Sequence, residues 1–146
     1  MLVKFDVLGE PMGKQRPRVR KIGNFAQTYT PKETITYESK VVYAYKNATD
    51  HYFGQSEIEA QITAYYQLSK VHYGKKGINK KGVEKLTGLV NPTKKPDCDN
   101  IAKIILDALN GIAYYDDSQV TKLVVYKRYA EQPKVEVVIK ERNTLV

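Results

Sequence analysis

Apolar and polar side chains alternate through Leu2–Leu8, with Val3, Phe5 and Val7 facing one way and Lys4 and Asp6 the other, the two-residue period of a β-strand. The same period holds longer between Glu57 and Ser69. There Ile58, Ala60, Ile62, Ala64, Tyr66 and Leu68 share one face, and Glu57, Glu59, Gln61, Thr63, Tyr65 and Gln67 the other. A strand this one-sided predicts an antiparallel or mixed sheet with one covered face. Runs at Val19–Ile22 and Phe25–Tyr29, separated by Gly23-Asn24, predict a hairpin, and Val120–Tyr129 and Val135–Lys140 predict two closing strands joined around Glu131–Pro133. Two stretches read as helix. One begins at Thr30-Pro31, with Thr30 as N-cap, Pro31 first in the helix and Glu33 third, and runs to Ala48 with Ile35, Val42 and Tyr45 in its apolar stripe. The other runs from Asp97 to Leu109 and is closed by Asn110-Gly111. Between strand and second helix, Lys70–Asn91 is rich in lysine and glycine, with a short helix expected near Lys80–Leu86. Connections of this length are usually functional or mobile.

These elements describe one α+β domain over residues 1–146: a mixed sheet of four or more strands packed with two main helices. A chain of 146 residues buries roughly 70% of its unfolded surface and needs no disulfide or structural metal to fold. Cys98 is the only cysteine, which excludes an intramolecular disulfide and a zinc framework and fits a reducing cytoplasm. The N-terminal segment lacks the continuous apolar core of a signal peptide, and no run approaches the roughly 18 apolar residues of a membrane span.

The net charge of +8 is clustered. Lys14, Arg16, Arg18, Arg20 and Lys21 fall in one stretch without an acid, and Lys70, Lys75, Lys76, Lys80, Lys81, Lys85, Lys94 and Lys95 form a second group with Glu84 alone among them. Basic segments combined with twelve tyrosines point to a polyanionic partner, nucleic acid above all. Against that background the segment from Pro96 to Thr121 stands out, because it holds five aspartates and a single lysine, Lys103. On a helix, Asp99, Lys103, Asp107 and Asn110 fall on one polar face, opposite Ile101, Ile104, Ile105 and Ala108. Asp116-Asp117 returns after a short loop.

Two accounts of this acidic segment stand on spacing alone. Aspartates cap helix starts and favour the helix dipole, Asp99–Lys103–Asp107 fits an ion-pair ladder, and Asp116-Asp117 fits a turn. Alternatively, one or two carboxylates with waters and substrate phosphate oxygens are how Mg²⁺ is held, and a neighbouring lysine suits a phosphoryl transition state. Other motifs fail on detail. The fifth and sixth positions of a calcium loop starting at Asp97 would be Ile101 and Ala102, no Walker-type phosphate loop exists, and His51 and His72 pair neither with Cys98 nor with each other.

Lys95-Pro96-Asp97-Cys98-Asp99-Asn100, Lys103, Asp107-Ala108-Leu109-Asn110-Gly111 and Asp116-Asp117-Ser118-Gln119-Val120 resemble the signature of the RusA family of Holliday junction resolvases. The loop Gly9-Glu-Pro-Met-Gly-Lys14-Gln-Arg16-Pro17-Arg18 resembles that family's N-terminal motif. The resemblance implies a homodimeric endonuclease that nicks four-way junction DNA symmetrically with Mg²⁺, Mn²⁺ substituting, in a family often carried by prophages. It carries over Asp97, Asp99 and Asp117 as catalytic and metal-binding carboxylates, Asp116 as the alternative ligand, and Lys103 as the catalytic lysine. Lys14, Arg16, Arg18, Lys75, Lys76, Lys94 and Lys95 are the expected DNA contacts. A non-catalytic nucleic-acid-binding module and a metal nuclease acting on other branched DNA are the competing readings.

Overall fold

The computed structural model describes residues 1–142. Its main sheet has four strands, β1 (Leu2–Leu8), β4 (Ile58–Gln67), β7 (Val120–Ala130) and β8 (Lys134–Glu141), in the order β1-β8-β4-β7. β8 runs antiparallel to both neighbours, whereas β4 and β7 are parallel, so the sheet is mixed as the sequence pattern predicts. Adjacent parallel strands need a crossover. Here the connection contains α3 (Cys98–Ala108), so the acidic helix is the crossover helix of a β-α-β unit. With α1 (Lys32–Ala48) it covers the face carrying Val3, Phe5, Val7, Ile58, Ile62, Tyr66, Val135, Val137 and Ile139, all buried in one core.

At eleven residues α3 is marginal as an isolated helix. Packing decides the matter: Ile101, Ile104 and Ile105 are each fully buried, and each contributes roughly 1.5–3 kcal/mol. The helix therefore forms because its apolar face meets the sheet, and this fixes which face turns outward with Asp99 and Lys103.

α1 departs from its expected start. Pro31 itself occupies the N-cap, no side chain caps the helix, and Thr30 has no capping role. The Pro31 carbonyl accepts from the amides of Thr34 and Ile35. The buried stripe is Thr34, Tyr37, Val41 and Tyr45, with Ile35 53% exposed. A buried threonine is tolerable here because its hydroxyl donates to Gln15 Oε1 at 3.4 Å. Val42 is only partly buried, and Tyr45 packs edge-on against Phe5 with ring centres 5.5 Å apart.

The β2–β3 hairpin (Arg18–Ile22, Phe25–Tyr29) forms a separate two-stranded ribbon. The long connection after β4 is ordered locally. It holds a 3-10 turn at Lys70–His72, a short hairpin of β5 (Tyr73–Gly74) and β6 (Gly77–Ile78), and α2 (Lys80–Leu86) where a helix was expected. Buried His72 organises it. Its Nδ1 donates to Asn79 Oδ1 at 3.1 Å, the same oxygen that caps α2 by accepting from the Gly82 amide at 2.8 Å. Among the described residues no helix is long and apolar enough to cross a membrane.

Candidate active site

The start of α3 is held by the sheet. The Tyr66 hydroxyl, at the end of β4, donates to the Pro96 carbonyl at 2.9 Å. Burial foremost, then the nearby acidic groups Cys98, Glu10 and Asp97, push the Tyr66 pKa up to about 12, so the hydroxyl keeps its proton near neutrality. The Lys94 and Lys127 ammonium groups lie 5.8 Å and 5.2 Å from the Tyr66 ring centre, and Lys127 also donates to the Lys94 carbonyl. The first turn of α3 thus emerges among cations fixed on an aromatic face.

Asp99 stays in the first turn of α3, where a carboxylate suits the helix dipole, but neither capping nor ion pairing accounts for Asp97 and Asp99. Asp97 sits at the N-cap, yet its side chain makes no capping hydrogen bond. Among the described residues neither aspartate forms an ion pair, and both are exposed. The expected Asp99–Lys103–Asp107 ladder does not form: among the described residues Lys103 is exposed without an ion-pair partner, and Asp107 takes its cation from elsewhere.

That cation is Lys14. The loop after β1 lies against α3, with the Lys14 amide donating to the Asn100 carbonyl at 3.0 Å. Gly13 permits the approach, since a Cβ there would stand 2.8 Å from Pro96 Cβ and 3.1 Å from Asn100 Cβ. The Lys14 ammonium then reaches Glu38 of α1 at 3.0 Å and Asp107 of α3 at 3.4 Å. Burial lowers its pKa, but the hydrogen bond and charge of Glu38, and then Asp107, outweigh that and leave it raised.

Asp116 and Asp117 diverge in role. Asp116 caps the 3-10 turn Asp117–Gln119: its carboxylate accepts from the Ser118 amide at 3.0 Å, while Gln119 Oε1 accepts from the Asp116 amide at 2.7 Å. The Ser118 hydrogen bonds lower the Asp116 pKa. Gln119 Nε2 donates to the carbonyls of Gly54 and Ser56, both at 2.8 Å, which fastens the turn to the segment before β4. Asp117 donates its amide to Asn110 Oδ1 at 2.8 Å, and its carboxyl lies beside Asp107. Burial first, then the Asp107 carboxyl, raise the Asp117 pKa.

The acidic residues therefore form two groups, Asp97 with Asp99 at the helix start and Asp107 with Asp117 at its end. Asp99 and Asp107 are about 12 Å apart along the helix axis. Among the described residues no three His, Cys, Asp or Glu side chains converge on one ion position. The donor chemistry still suits Mg²⁺, which takes hard oxygens and is typically held by one or two carboxylates with waters and phosphate oxygens. The expected basic contacts divide. Arg16, Arg18, Lys75, Lys76, Lys94 and Lys95 are exposed, and Lys14 is committed to carboxylates. Spacing missed Lys127, Tyr66, Glu38 and the pairing of Asp107 with Asp117. The Asp116-x-x-Gln119 spacing is a legible capping signal that separates the two adjacent aspartates.

A crossover helix that offers uncommitted carboxylates among lysines, in a small mixed-sheet domain, defines a candidate phosphodiester-cutting enzyme. Comparison with known proteins agrees: the model of the RusA family, described as endodeoxyribonuclease RusA, matches residues 9–140. The chain belongs to the RusA endodeoxyribonuclease family, and DNA is the substrate that the family implies. It is also similar to the uncharacterized protein YqaN of Bacillus subtilis (strain 168), at 36% identity over 140 residues, covering 95% of this chain and 96% of the relative.

Proposed function

We propose that the protein is a Mg²⁺-dependent endonuclease, with Mn²⁺ able to substitute, that resolves four-way DNA junctions by paired symmetric nicks in cytoplasmic recombination and repair. The observation that carries this is the exposed Asp97 and Asp99 at the mouth of α3, without an ion pair among the described residues and near Lys94, Lys103 and Lys127, in a chain matched by the family model over residues 9–140.

Asp97 and Asp99 are the carboxylates free to hold a divalent ion against a phosphate, and Asp117, paired with Asp107, supplies the further acidic group. Asp97 and Asp99 would hold the divalent ion, which would supply the positive charge that polarises a phosphodiester, lowers the pKa of a bound water and stabilises a leaving oxygen. Lys103, one turn beyond Asp99 on the exposed face, adds positive charge where the transition state accumulates negative charge. Asp116 serves the turn as a cap and is not a ligand in this reading. Arg16, Arg18, Lys75, Lys76, Lys94 and Lys95 hold phosphates.

The working unit is proposed to be a homodimer. A junction has approximate two-fold symmetry and needs two cuts, which a two-fold dimer matches. The separation of the acidic groups adds a second reason, because a second copy can bring its own acidic group to the first.

The test is incubation of purified protein with a labelled four-way junction, a fork and a linear duplex, each with Mg²⁺, Mn²⁺ or EDTA. Paired symmetric nicks confined to the junction and abolished by EDTA are expected. Binding without nicking would make the protein a non-catalytic module, and cutting of the fork alone would move the substrate to other branched DNA.

A further inference from the structure

All ten strand residues of the β2–β3 ribbon are exposed, and the ribbon is paired with no strand of the main sheet. Arg18 pairs with Tyr29, Arg20 with Gln27 and Ile22 with Phe25. Cross-strand partners share a face, so these six side chains line one side of the ribbon. At the tip, beside the Gly23-Asn24 turn, Ile22 is 52% and Phe25 78% exposed. Phe25 is the most exposed large hydrophobic side chain among the described residues. Behind the tip Arg20 is held in place: its Nε donates to Gln27 Oε1 at 3.1 Å, and its guanidinium lies 5.3 Å from the Tyr29 ring centre. No acidic residue occurs between Pro11 and Lys32.

A two-stranded ribbon standing alone is only marginally stable, and the cross-strand Ile22–Phe25 pair adds only modestly to it, leaving most of both side chains turned to water. The pattern of apolar tip and arginine stem complements one ligand class. Stacked duplex hides its base faces, whereas branch points and single strands expose them. Aromatic tips stack on exposed bases, and arginines behind them take the flanking phosphates. A second copy of the chain is a poor occupant, because each ribbon carries Arg18, Arg20 and Lys21 on a chain of net charge +8.

We propose that the β2–β3 ribbon is a DNA-reading arm whose Phe25–Ile22 tip packs on base faces exposed at a strand junction while Arg18 and Arg20 bind the adjoining phosphates. It recognises branched over linear DNA independently of sequence. The inference rests on the endonuclease reading above and adds the element that selects the substrate.

The experiment measures binding in EDTA of the full chain to a four-way junction carrying 2-aminopurine at the branch point, and to a linear duplex of the same sequence. Wild type is expected to prefer the junction and to change the probe's fluorescence. Phe25→Ala should weaken junction binding by about tenfold, leave duplex binding unchanged and abolish the fluorescence change. Phe25→Trp should restore both. The proposal is overturned if Phe25→Ala binds the junction and perturbs the probe like wild type, if it weakens junction and duplex equally, or if it changes the sedimentation of the protein alone, which would make the arm a contact between copies. A wild type with no preference for the junction would overturn the arm and the junction-resolving reading together, whereas intact wild-type preference with an unaffected Phe25→Ala removes the arm alone.

Discussion

The Lys14 ammonium lies 3.4 Å from the Asp107 carboxylate, joining the loop after the first strand to the last turn of the acidic helix. With Glu38 at 3.0 Å, the lysine is surrounded by carboxylates and faces α1 and α3. Lys14→Met should therefore destabilise the protein by roughly 1.5–3 kcal/mol, the usual range for hydrogen bonds to charged groups, measured by denaturant melts. The salt dependence of DNA binding should hardly change. Arg16→Ala and Arg18→Ala should behave oppositely, each flattening the slope of log affinity against log salt by about one unit with little loss of stability.

Asp99→Asn removes an exposed carboxylate that no ion pair among the described residues employs, so stability and junction binding should persist. Cleavage should fall by more than the roughly 10–100-fold typical of residues one step removed from a metal. Single-turnover cleavage and gel-shift titration on the same junction check both halves. Full activity in Asp99→Asn would remove the helix start from the chemistry.

Asp117 makes a prediction with a definite sign. Its folded pKa lies above the ordinary 3.8, burial being the main cause and the Asp107 carboxyl the next. The folded state therefore binds the proton more tightly than the unfolded state, and stability falls as pH rises from about 3.8 through the folded value. Above that value the penalty is fully present. Asp117→Asn should melt a few degrees higher than wild type at pH 7 in EDTA, and the two should converge below pH 3.8. Asp116→Asn should show no such gain, because the Ser118 hydrogen bonds already hold the Asp116 pKa low.

Gly13→Ala places a methyl 2.8 Å from Pro96 Cβ, a contact that the loop and helix cannot both keep. A cost of about 1–3 kcal/mol is expected for overpacking of this kind. Cleavage should fall along with stability, since the displaced loop carries Lys14 and leads into the ribbon. Thermal melting together with junction kcat/KM tests this, and loss of stability with unchanged cleavage would show that the loop does not position the site.

β1, β4, β8 and the acidic helix are legible in the sequence because each has a period matched to one buried face. The roles of individual charges are less so. The spacing of Asp107 offers Lys103 as its partner, four residues away, whereas the cation it meets comes from the distant loop after β1, brought there by tertiary packing that no local pattern encodes. The phase of α1 was missed for a similar reason: an apolar Ile35 attracts assignment to the core, but the Pro31 start and the Gln15 side chain bury Thr34 instead. The distinction between Asp116 and Asp117 was available locally, in the glutamine three residues beyond the first of them.

The hydrogen bond from Tyr66 to the Pro96 carbonyl bridges the whole stretch between β4 and α3. The end of a central strand thereby fixes where the acidic helix begins, whatever length of chain lies between. That connection, with its lysines and its short helix, is free to gain or lose residues over generations without re-aiming Asp97 and Asp99. The placing of the connection's lysines and the aim of the carboxylates can then evolve separately: the connection can be remodelled while Asp97 and Asp99 stay in register with the sheet.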